Sequence, residues 1–551
     1  MIELRPWQQE AINQAVSWFE KDQQVFLVNA APGSGKTIFA CAVAKLLFDR
    51  DEIDRVVVIA PRREVVRQWA GDFSDITGRH MMKLQASDDD VENMKLDTCA
   101  TWAAVQGLSD AFSEICRTYR TLVICDEHHH AAVEAAWGRG ANNAFNQSRF
   151  SLILTGTPIR SDGGESVWLA YDDEGKIDHP EEGTYTLSYG EAVDLGYCRP
   201  VTFHRHEGHF TVDLENGEQV TVSSRERSEL PEDLKRIPAL QRALDFYKLA
   251  CSPQFEADGK TPSRSSYQAT MVEYACAKLD DLRERMPEAG GLVIAPNIEM
   301  AKYFAALIEL LDGEKPYLVH SNAKGSDRKI DAFRKTDARW IVSVAMISEG
   351  VDIKRLRLLV YLPSAMTELA FRQAIGRVVR TFGREDDTRA YVVMPSFDLL
   401  ESFARKVEDE MSAAAQVDSQ KSTKTCPICL SEVARGEGVC TACGHEFPKP
   451  TTRLRNCDDC GAPNPVTAKT CQTCGSGLGH RFTISLDEAL RTGAIVRGMD
   501  IDEDEVRLGE SVAKVTRQSV LESGDPKLIK IIRSLPEESW GRLKKIMSDD
   551  D

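Results

Sequence analysis

With 551 residues and a mass of 61.3 kDa, the chain is too long for one hydrophobic core and predicts two large domains with appendages. Its 42% apolar content is ordinary for a globular protein, and no apolar run approaches the ~18 residues of a membrane helix, so no membrane partner is expected. A net charge of −18 excludes a surface that coats nucleic acid indiscriminately and leaves only local basic patches for such a partner.

Of 15 cysteines, eight form two quartets; Cys41, Cys99, Cys116, Cys125, Cys198, Cys251 and Cys276 are scattered without a disulfide-like framework. Met1 to Glu10 is polar and carries no secretory h-region, so the expected setting is a reducing cytoplasm.

In chain order, Val25 to Asn29 reads as a buried strand that runs into Ala30-Ala31-Pro32-Gly33-Ser34-Gly35-Lys36-Thr37 and then a helix. That context is what a phosphate-binding loop requires. Gly33 and Gly35 let backbone N–H groups close around phosphate oxygens, and the helix aims its positive dipole end at them. Lys36 is predicted to hold the β/γ-phosphates of a nucleotide and Thr37 its magnesium. The pattern's first glycine is Ala30 here, and the alternative reading is a glycine-rich structural turn.

Further apolar runs, at Val56 to Ala60, Thr121 to Cys125 and Ser151 to Thr155, alternate with amphipathic stretches, which indicates a parallel, doubly wound sheet. The pattern restarts near residue 290 with Gly291 to Ala295, Tyr317 to His320, Trp340 to Ala345, Leu358 to Leu362 and Ala390 to Met394. The fold class expected is therefore α/β with two tandem parallel sheets.

The run ending at Cys125 continues into Asp126-Glu127-His128-His129-His130. Asp126 at a strand end can hold magnesium, and Glu127 can orient or deprotonate an attacking water. A solvated strand end is the plainer reading of Asp-Glu, and a metal-binding tract that of the histidines, of which only His128 and His130 would share a face. In the second half, Arg377 and Arg380 stand three apart with Gln373 and Gly376 nearby. On a helix both guanidinium groups would lie on one face and reach across a cleft to neutralise transition-state charge; a solvated helix face is the alternative.

These segments together resemble superfamily 2 helicases of the DExH group. Leu4-Arg5-Pro6-Trp7-Gln8 is similar to their opening motif, in which the Gln reads adenine, and their phosphate loop commonly begins with Ala. Asp126 to His129 looks like the DExH box, and Thr155-Gly156-Thr157-Pro158 like the motif coupling hydrolysis to domain movement. Ser348-Glu349-Gly350-Val351-Asp352 resembles motif V, and Gln373-Ala374-Ile375-Gly376-Arg377-Val378-Val379-Arg380 fits motif VI, all in the family's order across residues 4 to 395. The resemblance implies tandem RecA-like domains that hydrolyse ATP with Mg2+. Its expected catalytic residues are Lys36, Asp126, Glu127, Gln373, Arg377 and Arg380; its nucleotide contacts are Arg5, Gln8, Pro32, Gly33, Ser34, Gly35, Lys36, Thr37, Gly350 and Asp352.

The same resemblance places nucleic acid at Arg62 and Arg63 after the second run, Thr101 and Trp102 after Lys95 to Ala100, Asn297, and His320-Ser321. Each is by default a polar cap at a strand end. Few aromatics interleave with them, which predicts backbone tracking by the protein and no sequence reading. Between the halves, Glu215-Asn216-Gly217-Glu218 interrupts alternating apolar residues from His209 to Ser223 and predicts a hairpin, as scaffold or as a pin that parts a duplex.

Cys426-x-x-Cys429 and Cys440-x-x-Cys443 are repeated at identical spacing by Cys457-x-x-Cys460 and Cys471-x-x-Cys474. Thiolates in paired knuckles satisfy tetrahedral zinc, so two structural Zn2+ ions are predicted, and the absence of an open ligand position rejects a catalytic zinc. Residues 421–481 carry eight Lys/Arg against five Asp/Glu, whereas 482–551 carry eleven against fifteen, with an acidic cluster at Asp500 and Asp502 to Glu505.

The predicted domains are a first RecA-like domain at 1–205, a hairpin and helical connector at 206–288, a second RecA-like domain at 289–410, a linker at 411–424, a double zinc ribbon at 425–478 and an acidic, partly helical tail at 479–551. This layout resembles bacterial RadD-type repair helicases. The expected function is an ATP-driven DNA helicase or translocase acting on single-stranded or branched DNA; the alternatives are an ATP-switched clamp that docks a protein partner through ribbons or tail, and an RNA helicase.

Overall fold

The computed structural model describes residues 3–61, 63–84, 96–127, 141–156, 168–171, 177–213, 219–223, 246–320, 325–344, 353–364, 367–382, 386, 388–416, 423–426, 428–429, 431–434, 437–447, 453–457, 459–478 and 480–485. Two compact units divide the chain: residues 1–211, 223–226 and 246–483 form one, and 212–222, 227–245 and 484–551 the other. Both α/β domains and both cysteine quartets belong to the first unit. The described part of the second is confined to short strand segments; the Asn216-Gly217 turn and the acidic tail lie outside the described residues.

The first sheet has seven strands in the order Met81–Leu84, Asp97–Thr101, Arg55–Ala60, Thr121–Asp126, Phe150–Thr155, Val25–Ala30 and Thr184–Leu187. Every neighbouring pair runs parallel, with Val58 opposite Ile124 and Cys99, and Val28 opposite Leu154 and Tyr185. Helices Pro6–Phe19, Lys36–Asp49, Arg63–Thr77 and Ser109–Thr118 cover its faces, so the central strands are buried on both sides and read as continuous apolar runs. Trp69, Trp102, Phe39, Phe73 and Phe112 fill the space between sheet and helices. Because all strands point one way, Ala30, Asp126 and Thr155 arrive at the same carboxyl edge, where open α/β sheets bind ligands.

The second sheet orders Val201–His206, Ala390–Pro395, Leu356–Tyr361, Gly290–Ile294, Trp340–Ser343 and Tyr317–Val319, again all parallel. Two features depart from the boundaries expected at 205 and 289. Val201–His206 joins this sheet and not the first, and helix Tyr267–Arg283 packs on it. Val-Thr-Phe-His-Arg-His is an edge strand whose His204 and Arg205 are only half-buried, so it lacks the apolar continuity that marks its neighbours.

Each cysteine quartet sits on a small antiparallel hairpin, Thr423–Thr425 with Glu432–Ala434 and Leu454–Asn456 with Pro463–Pro465. Their apolar content is slight: Val433 and Phe447 beside the first quartet, Leu478 beside the second. Cores of that size do not hold a fold by themselves. Among the described residues no helix is long and apolar enough to cross a membrane.

Candidate nucleotide and zinc sites

Between strand Val25–Ala30 and helix Lys36–Asp49 the backbone turns through positive φ at Gly33 (81°) and Gly35 (98°), a conformation side chains resist. The loop is held from the N-terminal motif. Arg5 donates from Nη1 to the Ser34 carbonyl at 2.7 Å, Trp7 from Nε1 to the same oxygen at 3.1 Å, and Gln8 from Nε2 to the Gly35 carbonyl at 2.9 Å. Gln8 Oε1 accepts the Arg5 N–H at 2.8 Å, so both polar ends of the amide are engaged here with loop and chain. With its Ser34 and Gly35 carbonyls so occupied, the loop is pinned at the N-terminus of the helix, the place where backbone N–H groups and the helix dipole favour phosphate.

Lys36 stands at the first position of the helix and donates from Nζ to the Ala30 carbonyl at 2.7 Å. Burial pushes its pKa down, while the fields of Glu127 and Asp126 raise it. Asp126 is moved the other way: burial first and the Glu127 charge second raise its carboxyl to about 6, against a 2.8 Å hydrogen bond donated by Trp69 Nε1. A carboxylate destabilised by burial and by its neighbour, beside an ammonium, suits a divalent cation. Glu127 is held at φ 51°, a non-glycine residue in left-handed backbone. Ser34 Oγ is buried without a hydrogen-bond partner among the described residues, as a phosphate ligand would be. These residues fit a magnesium nucleotide, with Thr37 half-buried on the first helical turn.

The second half closes on this loop. A Cβ on Gly376 would lie 2.9 Å from Cβ and Cγ of Pro32, and one on Gly33 3.3 Å from Arg380 Cγ. The expected helix through Arg377 and Arg380 is corrected by the structure. Glu368–Ile375 ends at Gly376, and residues 377–380 follow in turns, with Val378 and Val379 N–H both returning to the Ile375 carbonyl. β-Branched Val378-Val379 favour leaving the helix, and Arg199 N–H takes the Val379 carbonyl at 2.6 Å. Arg377 is buried, Gln373 lies on the helix, and Arg380 pairs its backbone with Cys198 against the phosphate loop.

The expected nucleic-acid contacts divide. Trp102 is 1% exposed and packs in the core with Val105 and Phe112, so its ring is a core side chain and not a surface contact. Thr101 Oγ1 caps its helix by accepting from Ala104 N–H at 3.3 Å. Asn297 caps Ile298–Asp312 in the same way at 2.8 Å, and His320 is half-buried at the end of Tyr317–Val319. Arg63 opens the helix Arg63–Thr77. Arg62, Ser321, Gly350, Asp352, Thr157, Pro158 and the three histidines at 128–130 lie outside the described residues.

The four Sγ atoms of each quartet lie within 4.8 Å of one another. Cys426 to Cys443 and Cys429 to Cys440 are 3.6 Å apart; Cys457 to Cys474 is 3.7 Å and Cys460 to Cys471 3.6 Å. Four sulfurs at the usual Zn–S length of about 2.3 Å stand roughly 3.8 Å apart at tetrahedral angles, so both quartets have the right size for zinc and none of these pairs is a disulfide. Asn464 Nδ2 and Thr473 N–H each reach Cys471 Sγ at 3.4 Å, the outer contacts that steady a thiolate ligand.

Residues 1–160 match the family described as type III restriction enzyme, res subunit, and residues 275–382 the helicase conserved C-terminal domain. An uncharacterized protein of Mycobacterium tuberculosis (strain ATCC 25618 / H37Rv) is 30% identical over 409 residues, which are 74% of this chain and 63% of the relative. The DNA 3′-5′ translocase XPB2 of Sulfurisphaera tokodaii is 21% identical over 391 residues, 70% of this chain and 80% of that one. Among solved structures, the ATP-dependent Type ISP restriction-modification enzyme LlaBIII bound to DNA gives a TM-score of 0.48 at 14% identity, covering 98% of this chain and 37% of that chain.

Proposed function

For a chain that belongs to the superfamily 2 helicases, we propose an ATP-driven DNA translocase or helicase that hydrolyses ATP at the seam between its two parallel-sheet domains. One observation carries the reading: Pro32 and Gly33 of the phosphate loop lie so close to Gly376 and Arg380 of the other domain that a methyl group on Gly376 would meet Pro32 at 2.9 Å and one on Gly33 would meet Arg380 at 3.3 Å. Lys36 and the loop N–H groups hold the β- and γ-phosphates, and Ser34 Oγ finds its partner there. Thr37 and Asp126 hold magnesium, which neutralises charge on the phosphates. Glu127 orients the attacking water and takes its proton; Arg377 and Arg380 meet the charge that develops on the γ-phosphoryl oxygens.

Closure of the seam is then needed for hydrolysis and opening follows release, which is how ATP turnover becomes movement on a strand. DNA is favoured as the track by XPB2, named as a DNA translocase, and the motor with two cysteine ribbons supports a RadD-type repair role. A second reading has its own observation: Ile428 and Val439 of the first ribbon are 69% and 46% exposed, which suits docking of a protein partner. Parallel ATPase assays with single-stranded DNA, duplex, fork and RNA, plus strand displacement, test the proposal. Stimulation by RNA alone refutes the DNA assignment, and stimulation without displacement moves the reading to translocation or clamping.

A further inference from the structure

Residues Gly196 to Arg199 connect the first domain to the edge strand of the second, and they touch both sides of the seam. Cys198 donates from Sγ to the Pro32 carbonyl in the phosphate loop at 3.0 Å and forms an antiparallel bridge with Arg380. The next side chain, Arg199, is fully buried in the second domain. Its Nε donates to Asp386 Oδ2 (3.0 Å) and Thr388 Oγ1 (2.9 Å), its Nη1 to the Val378 carbonyl (3.1 Å), and its Nη2 to Asp386 Oδ2 (2.5 Å) and the Lys354 carbonyl (3.1 Å). Asp386 Oδ2 also accepts the Phe382 N–H at 3.0 Å. The guanidinium thus grips the arginine-bearing turn at Val378 directly and, through Asp386, at Phe382.

Burying a guanidinium costs several kcal/mol in desolvation and is repaid only by such geometry; a packed hydrophobe would fill the same space at lower cost. What the charge adds is a fixed direction for the backbone on either side of Arg380. We propose that Arg199 is a positioning residue for the hydrolysis step: it holds the Arg377 to Arg380 turn in register with the phosphate loop and acts through Arg380. This rests on the ATPase reading above.

The test uses the full chain with single-stranded DNA, comparing Arg199→Gln, Arg199→Lys and Asp386→Asn in the parent and in an Arg380→Ala background. Single-turnover hydrolysis, binding of a non-hydrolysable ATP analogue and thermal melting are read for each. A misplaced catalytic group costs roughly 10²-fold, so Arg199→Gln should slow hydrolysis by about that factor while analogue affinity stays within about threefold of the parent. Lysine should not rescue, because one ammonium cannot serve a carboxylate, a hydroxyl and two carbonyls in that planar pattern. In the Arg380→Ala background the same substitutions should add little, since the group they position is gone.

If Arg199→Gln does not fold, Asp386→Asn, which keeps shape and loses charge, carries the same comparison. Unchanged hydrolysis, or equal losses in both backgrounds, overturns the positioning role while the ATPase reading stands. A parent without nucleic-acid-stimulated hydrolysis overturns that reading and this role together.

Discussion

Arg453 donates from Nη2 to Asp312 Oδ1 at 2.5 Å, and its Nε reaches Asp280 Oδ2 at 3.1 Å. The arginine stands four residues before the first cysteine of the second ribbon, whereas the aspartates sit near the C-terminal ends of helices Tyr267–Arg283 and Ile298–Asp312. Carboxylates there oppose the helix dipole, and Asp312 is 1% exposed. Arg339 and Trp340 Nε1 also satisfy it, at 2.7 and 3.0 Å. The second ribbon is thereby anchored to the second domain. Arg339 still pairs with both aspartates, so Arg453→Ala should cost less than the about 3–5 kcal/mol of an orphaned buried charge, yet lower the melting temperature and open residues 453–457 to protease while two zinc ions per chain are retained. Parent-like melting and protection would show the contact to be energetically idle.

At the phosphate loop, Lys36→Ala and Glu127→Gln should both abolish hydrolysis, for different reasons. The first removes the ammonium that meets the phosphates; the second leaves the loop intact and takes away the group that handles water. Nucleotide binding measured directly should therefore weaken in Lys36→Ala and persist in Glu127→Gln. Parent-rate turnover by Glu127→Gln would remove Glu127 from the site.

The seam is tested by a wedge and by a truncation. Gly376→Ala places a methyl group 2.9 Å from the Pro32 ring, which has no rotamer to yield. Arg380→Ala removes the cation and spares the fit. Arg380→Ala should cost on the order of 10³ in kcat with nucleotide affinity largely intact, and Gly376→Ala should lower kcat by obstructing closure. Normal turnover at saturating ATP in both variants would contradict an active site shared between the domains.

Trp69 gives a separate handle on the acidic pair, since its indole N–H is a donor to Asp126. Trp69→Phe keeps most of the buried ring and leaves that carboxylate one hydrogen bond short. Outer-shell hydrogen bonds that orient a metal ligand are worth roughly 10- to 100-fold in metal affinity, so half-maximal ATPase should require roughly tenfold or more magnesium, with kcat at saturation near the parent's. A magnesium titration that superposes on the parent's would show that Trp69 serves the core alone.

How far residues alone reached follows from which contacts are local. Central parallel strands such as Arg55–Ala60 and Thr121–Asp126 are buried on both faces and announce themselves as unbroken apolar runs, and the phosphate loop and both quartets are contiguous patterns. Edge strands do not: Met81–Leu84, Thr184–Leu187 and Val201–His206 are short or carry polar residues because one side is unpaired. The helix expected through Arg380 ends at Gly376, and the Val378 and Val379 carbonyls beyond it go to a distant donor, Arg199. Trp69 with Asp126, Cys198 with Pro32 and Arg199 with Asp386 are separated by 57, 166 and 187 residues. No local signal links such pairs; a Trp in an amphipathic helix and a Cys outside the quartets read as ordinary core until the chain is folded.

The ribbons yield the last prediction, which separates zinc from nucleic acid. Sulfur spacings of 3.6–3.7 Å leave the quartets preformed for tetrahedral zinc, and structural zinc contributes on the order of 10 kcal/mol to such modules. Elemental analysis of reduced full-length protein should find two zinc ions, and Cys429→Ser or Cys460→Ser should each lose one. The second loss should also lower the melting temperature of the motor, because its ribbon carries the Arg453 anchor. With eight Lys/Arg against five Asp/Glu in residues 421–481, ending the chain at Gln420 should raise the DNA needed for half-maximal stimulation. It should also make the salt dependence of binding shallower, since every phosphate that the shortened protein leaves unneutralised keeps roughly one counterion. An unchanged affinity and salt slope would assign the ribbons to a protein partner, and a zinc-free reduced protein would refute the metal assignment itself.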